Sequence, residues 1–367
     1  SQAHEKRLPE IPGFSSPPWK VAEPEPRPLT PKEKRRFWTI RIDDLEADPA
    51  PEIWIEIYRF RGHARVAGGF RLRPHHFASI GPASVEFVTG RFELAPSEII
   101  LASASGRADC RFDTFAPDEV RGQQIWPKIS GTIRLEGRPE DLRFLNHFLR
   151  RSPEPRLSGG GGKVRLETKF DHGIGKGSGD FSFSRADFRY SDGTVSGRAT
   201  GRIAIPRWDA EHGNMEISGS RVELTGVTRS GTSHDEQDWW GRFDFPSGRF
   251  HDGLTVQTSV SCRDARPLYT LFNATLPGWA EGILKLEGIT AKARVRLAPQ
   301  LVDVENLDAT GGKFHIAGRY REKKDDRHGA FLVETGILAV GVAIEGPSSH
   351  VKLLGARKWF EEEPHQP

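Results

Sequence analysis

The 367-residue chain is poor in cysteine, in methionine and in long apolar runs. Its two cysteines, Cys110 and Cys262, are too few for a disulfide-dense scaffold or a cysteine-based zinc site, although a single bridge between them stays open. No apolar run approaches the roughly 20 residues that span a bilayer, so the sequence predicts no transmembrane helix. The only methionine is Met215, so we expect that a translation start, with a signal or membrane anchor, lies upstream of this sequence.

An excess of one charge and the familiar catalytic motifs are lacking as well. The 53 Lys and Arg residues are interleaved with 50 Asp and Glu, which leaves a net charge of +3 and no broad positive field for nucleic acid. The sequence contains no nucleophile elbow, no His-Glu-x-x-His motif and no Walker A loop. We therefore expect no enzymatic activity, no cofactor, no metal and no nucleic-acid partner.

Several short motifs favour a structural interpretation over a functional one. The glycine-rich residues 175–179 predict a hairpin turn, because a phosphate loop requires a strand-to-helix setting. His75 and His76 predict a surface loop, since neighbouring strand residues face opposite ways and rarely bind one ion. Residues 234–238 predict a polar loop rather than a cation site. The pair Trp239-Trp240 predicts one buried ring, with a carbohydrate platform as the alternative.

Proline is abundant at the start of the chain, where eight prolines fall within residues 1–36. Such a segment cannot bury enough apolar area to offset its chain entropy, so we expect a disordered linker without regular structure. The basic cluster at 32–36 and the four arginines Arg61, Arg65, Arg71 and Arg73 predict solvated surfaces, with lipid headgroup contact as the alternative.

From Phe37 onward, apolar residues alternate with polar or charged ones. Phe70 and Leu72 alternate with Arg71 and Arg73, for example. This period of two gives each strand one apolar and one polar face and predicts an all-β fold, a long, twisted antiparallel sheet. Glycines between the runs are interpreted as turns: Gly68-Gly69, Gly159–Gly162, Asp192-Gly193, Asp252-Gly253 and Gly311-Gly312. Apolar residues at helical spacing predict two short capping helices, at 141–151 with Asp141 as its cap and at 266–276.

An internal repeat is the most informative feature. Gly131–Gly137 (Gly-Thr-Ile-Arg-Leu-Glu-Gly) returns as Gly282–Gly288 (Gly-Ile-Leu-Lys-Leu-Glu-Gly), and a looser copy starts at Gly162. A Cys-Arg pair precedes both closer copies at nearly the same distance. We infer a duplication of about 150 residues, as in repeat architectures. The predicted organisation is a linker (1–36), two β segments (37–137 and 138–288) and a C-terminal β segment with a tail (289–367).

An antiparallel sheet that is apolar on one face must cover that face. Two helices of about eleven residues are too short for some 20 strands, so we expect the sheet to curl into an elongated groove, a β-taco, with its apolar face inside. The residues predicted to line this lipid-binding groove share the inward phase of the alternation: Ile133, Leu135, Val164, Leu166, Phe181, Phe183, Leu284, Leu286, Val295, Leu297, Phe314 and Ile316.

Parts of the chain resemble AsmA-like proteins of the bacterial envelope, a superfamily that includes TamB-like proteins. The resemblance rests on Ile42-Asp43-Asp44, Ile53-Trp54-Ile55, Arg61-Gly62-His63 and Gly69–Pro74, and on residues 301–307 and 311–318 near the C-terminus. It implies a repeating β-groove, a periplasmic location in a Gram-negative bacterium and an N-terminal inner-membrane anchor. It also implies movement of phospholipid between the inner and outer membrane surfaces, with other envelope proteins as possible partners.

A second class of function fits the same pattern. The chain is then an envelope scaffold, or a carbohydrate-binding or adhesive repeat protein, whose apolar face is simply a core. Interdigitating aromatic side chains would favour this scaffold, whereas an unfilled apolar trough would favour lipid binding.

Overall fold

The chain forms an all-β protein in a computed structural model, which confirms the predicted class. Strands account for 77% of the described residues and belong to one long antiparallel sheet of 18 strands. The structure describes residues 30–34, 37–55, 58–94, 98–120, 122–147, 156–190, 193–229, 238–251, 253–265, 287–298, 300–324, 326–346 and 348–363.

The strands are long at the start of the chain and shorter toward its end. The first nine are β1 (Ile40–Ile55), β2 (Tyr58–Arg73), β3 (Phe77–Leu94), β4 (Glu98–Phe115), β5 (Ile129–Arg138), β6 (Arg156–Asp171), β7 (Ile174–Tyr190), β8 (Gly193–Asp209) and β9 (Asn214–Glu216). The second nine are β10 (Ser220–Arg229), β11 (Trp240–Phe250), β12 (Leu254–Cys262), β13 (Ile289–Ala298), β14 (Leu301–Gly311), β15 (Phe314–Lys323), β16 (Asp326–Thr335), β17 (Leu338–Glu345) and β18 (Ser348–Lys352).

Pairing follows the order of the chain, as expected for a meander. Each strand from β1 to β5 pairs antiparallel with the next one. The same holds for each strand from β10 to β17, while β10 also pairs with β8 and β11 with β9. Most contacts in the fold are therefore made between strands that are close in sequence.

The described residues pack into two units. The first contains residues 1–144, 162–179 and 207–213, and the second contains residues 145–161, 180–206 and 214–367. The strands β6, β7 and β8 each contribute to both units.

Helices are few and short among the described residues. The predicted α-helix at 141–151 is instead a 3-10 helix at Leu142–His147, and residues 148–151 lie outside the described part. Leu142 and Leu145 are three residues apart, which suits the three-residue turn of a 3-10 helix. Asp141 caps this helix, since its carboxylate accepts a hydrogen bond of 2.9 Å from the amide of Arg143. The predicted helix at 266–276 falls outside the described residues.

The described part of the chain has two α-helices, one of them in the predicted linker. Helix α1 (Pro31–Lys34) is a single turn that begins at proline, a residue favoured at the first helical position. The other linker residues lie outside the described part. Helix α2 (Ala356–Glu362) lies in the segment expected to be strand and tail. No helix in the described part of the chain has the length and apolar content to span a bilayer.

Many glycines lie inside strands, where the sequence analysis expected turns. Gly159–Gly162 belong to β6, Gly68-Gly69 belong to β2, and the glycine-rich residues 175–179 belong to β7. Several strand glycines lie under an aromatic ring, so that an added Cβ would collide with the ring. These pairs are Gly90 with Phe60, Gly201 with Phe181, Gly241 with Trp239, Gly318 with Phe331, and Gly341 with Trp359. The turn interpretation of residues 68–69, 159–162 and 175–179 was therefore wrong, whereas Gly311-Gly312 does mark the turn between β14 and β15.

Candidate functional site: the apolar face of the sheet

In the first unit, one face of the sheet is built from apolar residues that lie opposite one another across the strands. One row contains Ala64, Phe87, Gly106, Leu135 and Leu166. Residues that pair directly project from the same face, so each row crosses β2 to β6 on one side. Two further rows run beside it: Val66, Val85, Ala108, Ile133 and Thr168, and Gly68, Ala83, Cys110, Gly131 and Phe170. These three rows contain no charged residue.

A cluster of aromatic side chains fills one end of this face. Phe60 is 1% exposed, and its ring centroid lies 4.8 Å from that of Phe87 and 5.2 Å from that of Phe92. The rings are tilted or edge-on to each other, the arrangement that aromatic pairs prefer. Ile53 and Leu135 pack against the cluster. This end of the face is a filled core, whereas most side chains farther along the three rows are only half-buried.

The opposite face of the first unit carries a lattice of ion pairs between strands. Arg65 contacts Asp48 on β1 at 3.1 Å and Glu86 on β3 at 3.2 Å, and Arg134 on β5 contacts Glu167 on β6 at 2.9 Å. These side chains are about half-exposed or more, so each pair contributes little stability. The hydrogen bonds of Glu86 and Asp48 raise the pKa of Arg65. The face is solvated, as predicted for Arg61, Arg65 and Arg71, all of which are exposed, whereas Arg73 is half-buried.

One ion cluster on this polar face is buried. The Arg59 side chain is 4% exposed, and its Nη2 donates a 2.6 Å hydrogen bond to Glu52, while its Nη1 lies 3.7 Å from Glu93. The Arg59 guanidinium also lies 5.0 Å from the ring centroid of Trp54. Burial alone would raise the pKa of Glu52, but hydrogen bonds from Arg59 and Trp54 outweigh burial and lower that pKa. The cluster joins the ends of three strands, because Glu52 lies on β1, Arg59 on β2 and Glu93 on β3.

The second unit has its own apolar face, which crosses more strands. One continuous row of paired residues passes through β8 and then through every strand from β10 to β17. Its members are Gly201, Val222, Phe243, Val260, Ala291, Ala309, Ile316, Val333 and Val340. All of them are half-buried except Ala309, which is buried. Nine successive strands thus present an apolar surface without a charged interruption.

Helix α2 packs against β16 and β17 on the other side of this unit. The ring of Trp359 lies against Gly341, which is paired with the buried Leu332. Gly341 and Val340 are neighbours in β17, so they face opposite sides of the sheet. Arg319 secures the helix, since its guanidinium lies 5.0 Å over the Phe360 ring and donates to the carbonyl oxygen of Glu363 at 2.5 Å. Among the described elements of this unit, α2 packs on the face opposite to the apolar row.

Within each unit, the described strands make their most extensive contacts with their ladder neighbours. Most side chains of these rows are half-buried in the described residues, and an extended apolar surface of this kind is a candidate for binding.

The predicted lining residues fall on these two faces wherever the structure describes them. In the first unit, Leu135 pairs with Leu166, Ile133 pairs with Thr168, and Val164 pairs with Gly137, so all four candidates share one side. In the second unit, Val295 and Leu297 lie on the face of the nine-strand row, as do Phe314 and Ile316. Phe181 covers Gly201 of that row and stacks on Phe183 at 5.0 Å. Leu284 and Leu286 lie outside the described residues.

The other residues that the sequence analysis singled out as possible binding sites make ordinary structural contacts where the structure describes them. Trp239 is 1% exposed and its indole nitrogen donates to the carbonyl oxygen of Asp264 at 2.8 Å, whereas Trp240 is 44% exposed, so one ring of the pair is buried as predicted. His75 lies in a turn and contacts Asp118 at 2.8 Å. Of residues 234–238, only Asp238 is described. In the described part of the chain, no group of three or more potential metal ligands comes together.

Both cysteines are free thiols on the apolar faces. Cys110 pairs with Ala83 and Gly131, and Cys262 pairs with Gly241 and Ile289. Burial, with a smaller contribution from the charge of Asp264, raises the pKa of Cys262 to about 12. Burial followed by the charge of Asp109 also raises the pKa of Cys110. Neither thiol is activated as a nucleophile, because reactive cysteines have a lowered pKa.

Sequence reasoning missed two parts of this surface. The cluster of Phe60, Phe87 and Phe92 follows the same alternation as the predicted residues. The face on which Phe60 lies was therefore predictable from Arg59-Phe60-Arg61. The burial of the cluster was not predictable, because that burial depends on the pairing of β2 with β3. Helix α2 also went unrecognised, although Ala356, Trp359 and Phe360 have helical spacing after Gly355.

Comparisons of the chain with protein families, with curated proteins and with solved structures found no match.

Proposed function

We propose that the protein binds phospholipid acyl chains along the apolar face of its sheet, and that the sheet curls into a groove around them. The observation that carries this proposal is the set of apolar rows in each unit, whose side chains stay mostly half-buried across many strands. Acyl chains need no hydrogen bonds and no matching shape, so an uninterrupted apolar surface is sufficient to hold them.

The composition of the face suits a ligand that slides along it. Small residues such as Gly106, Ala108 and Gly131 alternate with larger ones across the strands of the first unit. In the second unit, Phe181 and Phe331 lie over the glycines of neighbouring strands. Rings that lie over glycines give a smoother surface than rings that project outward, so a mobile chain meets few barriers.

The opposite face supports the same division of roles. Its charged side chains, such as Arg134 and Glu167, keep that surface in water. A sheet with one solvated and one apolar face can shield acyl chains from water while remaining soluble. The proposed setting is the periplasm of a Gram-negative bacterium, as implied by the resemblance to AsmA-like proteins. There the protein conducts phospholipid between the inner and outer membranes and contributes to outer-membrane homeostasis, without enzymatic activity.

A scaffold or adhesive role is the second candidate, and one observation favours it. The aromatic cluster around Phe60 is a filled core, which is the packing expected for a structural sheet. It occupies one end of the face in the first unit, whereas the residues farther along the rows are half-buried. Trp239 and Cys262 belong to a similar buried cluster in the second unit, so the lipid proposal concerns the half-buried rows and not these filled ends.

Purification without detergent provides the test of the proposed function. We expect phospholipid to remain bound to the protein, because exposing its acyl chains to water is unfavourable by about 0.8 kcal/mol per methylene group. Mass spectrometry of the intact complex and of the extracted lipid should find at least one phospholipid per chain. A folded protein that carries no lipid, and that takes up no fluorescent phospholipid from vesicles, would contradict the proposal.

A further inference from the structure

Four of the most exposed apolar side chains gather near the C-terminal edge of the second unit. Ile337 is 95% exposed, Leu338 64%, Leu353 70% and Leu354 95%. Large aliphatic side chains that are fully exposed and close together mark an interaction surface. We call these four residues the apolar tip.

The strand register brings the four residues to the same end of the sheet. Thr335 pairs with Leu338, so Gly336 and Ile337 form the tight turn between β16 and β17. The next strand, β18, runs antiparallel to β17 and leaves the sheet at Lys352, which pairs with Gly341. Gly341 is only three residues from Leu338, so Leu353 and Leu354 emerge beside the Ile337 turn.

Lysines surround the apolar tip. Lys313 lies in the exposed turn between β14 and β15, at the same end, because Phe314 pairs with Thr335. Lys352 is exposed, with its Nζ 4.9 Å from the ring centroid of Trp359. The Lys358 side chain is 79% exposed and lies 3.8 Å from Glu362, an exposed pair that contributes little and leaves the lysine accessible. The nearby acid Glu334 is already paired with Arg357 at 2.5 Å and with His315 at 3.1 Å.

We propose that the apolar tip inserts into the headgroup region of an anionic lipid bilayer. Ile337, Leu338, Leu353 and Leu354 enter the boundary between headgroups and acyl chains, and Lys313, Lys352 and Lys358 contact lipid phosphates. Apolar side chains flanked by lysines are the combination that binds peripheral proteins to anionic membranes.

The shape of the tip favours a bilayer over a protein partner. A stable protein interface buries about 800 Å² on each side with closely packed surfaces. The four side chains lie on a two-residue turn and a short connecting segment, which is too narrow for such a surface. A bilayer accepts protruding apolar side chains without a complementary shape.

This membrane site is separate from the apolar face of the proposed function, and each site can fail without the other. Flotation with vesicles reports on the tip, and phospholipid retained after detergent-free purification reports on the face. A variant that loses flotation but keeps its bound phospholipid separates the two activities.

Flotation of the full chain with vesicles tests the tip. We expect the chain to float with vesicles of phosphatidylethanolamine and phosphatidylglycerol. The double variant Ile337→Ser/Leu354→Ser should lower the partition coefficient at least tenfold, because both side chains lose their transfer into the bilayer. The matched control, Ile99→Ser/Ile174→Ser, removes two exposed isoleucines elsewhere and should float like the wild type. Ile337→Ser/Leu354→Ser should melt like the wild type, since both side chains are 95% exposed. The control isoleucines are 38% and 39% exposed, so their loss should lower the melting temperature while the protein stays folded.

A second pair of substitutions tests the role of charge. Lys313→Gln/Lys358→Gln should weaken binding to the anionic vesicles only, and high salt should remove the difference. The proposal is overturned if the wild type does not float, or if Ile337→Ser/Leu354→Ser floats equally well. It is also overturned if the wild type forms a dimer that this double variant dissociates, because the tip then binds a second copy of the chain.

Discussion

Replacing Phe60 with alanine is expected to lower the free energy of unfolding by about 3–5 kcal/mol, the range for a buried phenylalanine. Phe60 is 1% exposed and contacts the rings of Phe87 and Phe92. The variant loses the burial of the ring, both aromatic contacts and the packing of the space that the ring fills. Such a change is a large fraction of the 5–15 kcal/mol that stabilises a typical domain.

Urea unfolding, followed by circular dichroism, measures this effect. The matched control is Phe250→Ala, because Phe250 is 37% exposed and its truncation should lower stability by only about 1–2 kcal/mol. If Phe60→Ala unfolds at the same urea concentration as Phe250→Ala, the aromatic cluster does not anchor the first unit.

Introducing a carboxylate at Val164 is expected to remove bound phospholipid while leaving the protein folded. Val164 is half-buried on the apolar face and lies opposite Gly137. The carboxylate of Val164→Asp can remain hydrated at a half-buried position, so we expect stability to fall by only about 1 kcal/mol. An acyl chain that passes the carboxylate must remove its water, which is unfavourable by several kcal/mol. The lipid content should therefore fall at least tenfold.

The matched control for this variant is the neighbouring residue. Lys163 is exposed on the opposite face, so Lys163→Asp adds the same carboxylate one position away and should keep its lipid. If Val164→Asp fails to fold, the face is a packed core, as the scaffold candidate requires. If it folds and keeps its normal lipid content, acyl chains do not occupy this part of the face.

The strands and their faces were predictable because alternation is a local property. In any strand, Ile133 and Leu135 lie on one face and Arg134 lies on the other, whatever the partner strands are. Pairing in chain order adds little uncertainty in a meander, so the shared face of Leu135 and Leu166 also followed from the sequence.

The glycines were not predictable from local sequence. A glycine allows a turn, and it also allows a ring or a neighbouring backbone to come close, and only the partner strand distinguishes these roles. Gly90 lies inside β3, and a glycine is needed there because the ring of Phe60 on β2 covers this position. The packing of helix α2 likewise depends on a partner, because Trp359 lies against Gly341 of β17, and the local sequence does not show this contact.

Photo-crosslinking from the two faces of β5 tests the central claim most directly. A benzophenone side chain at Ile133 lies on the apolar face, and the same side chain at Arg134 lies on the opposite face, where the arginine is 73% exposed. Irradiation of the protein in cells, followed by mass spectrometry, should find phospholipid attached at position 133 and none at position 134. Equal attachment at both positions, or no lipid attached at position 133, would contradict the binding of acyl chains by the apolar face.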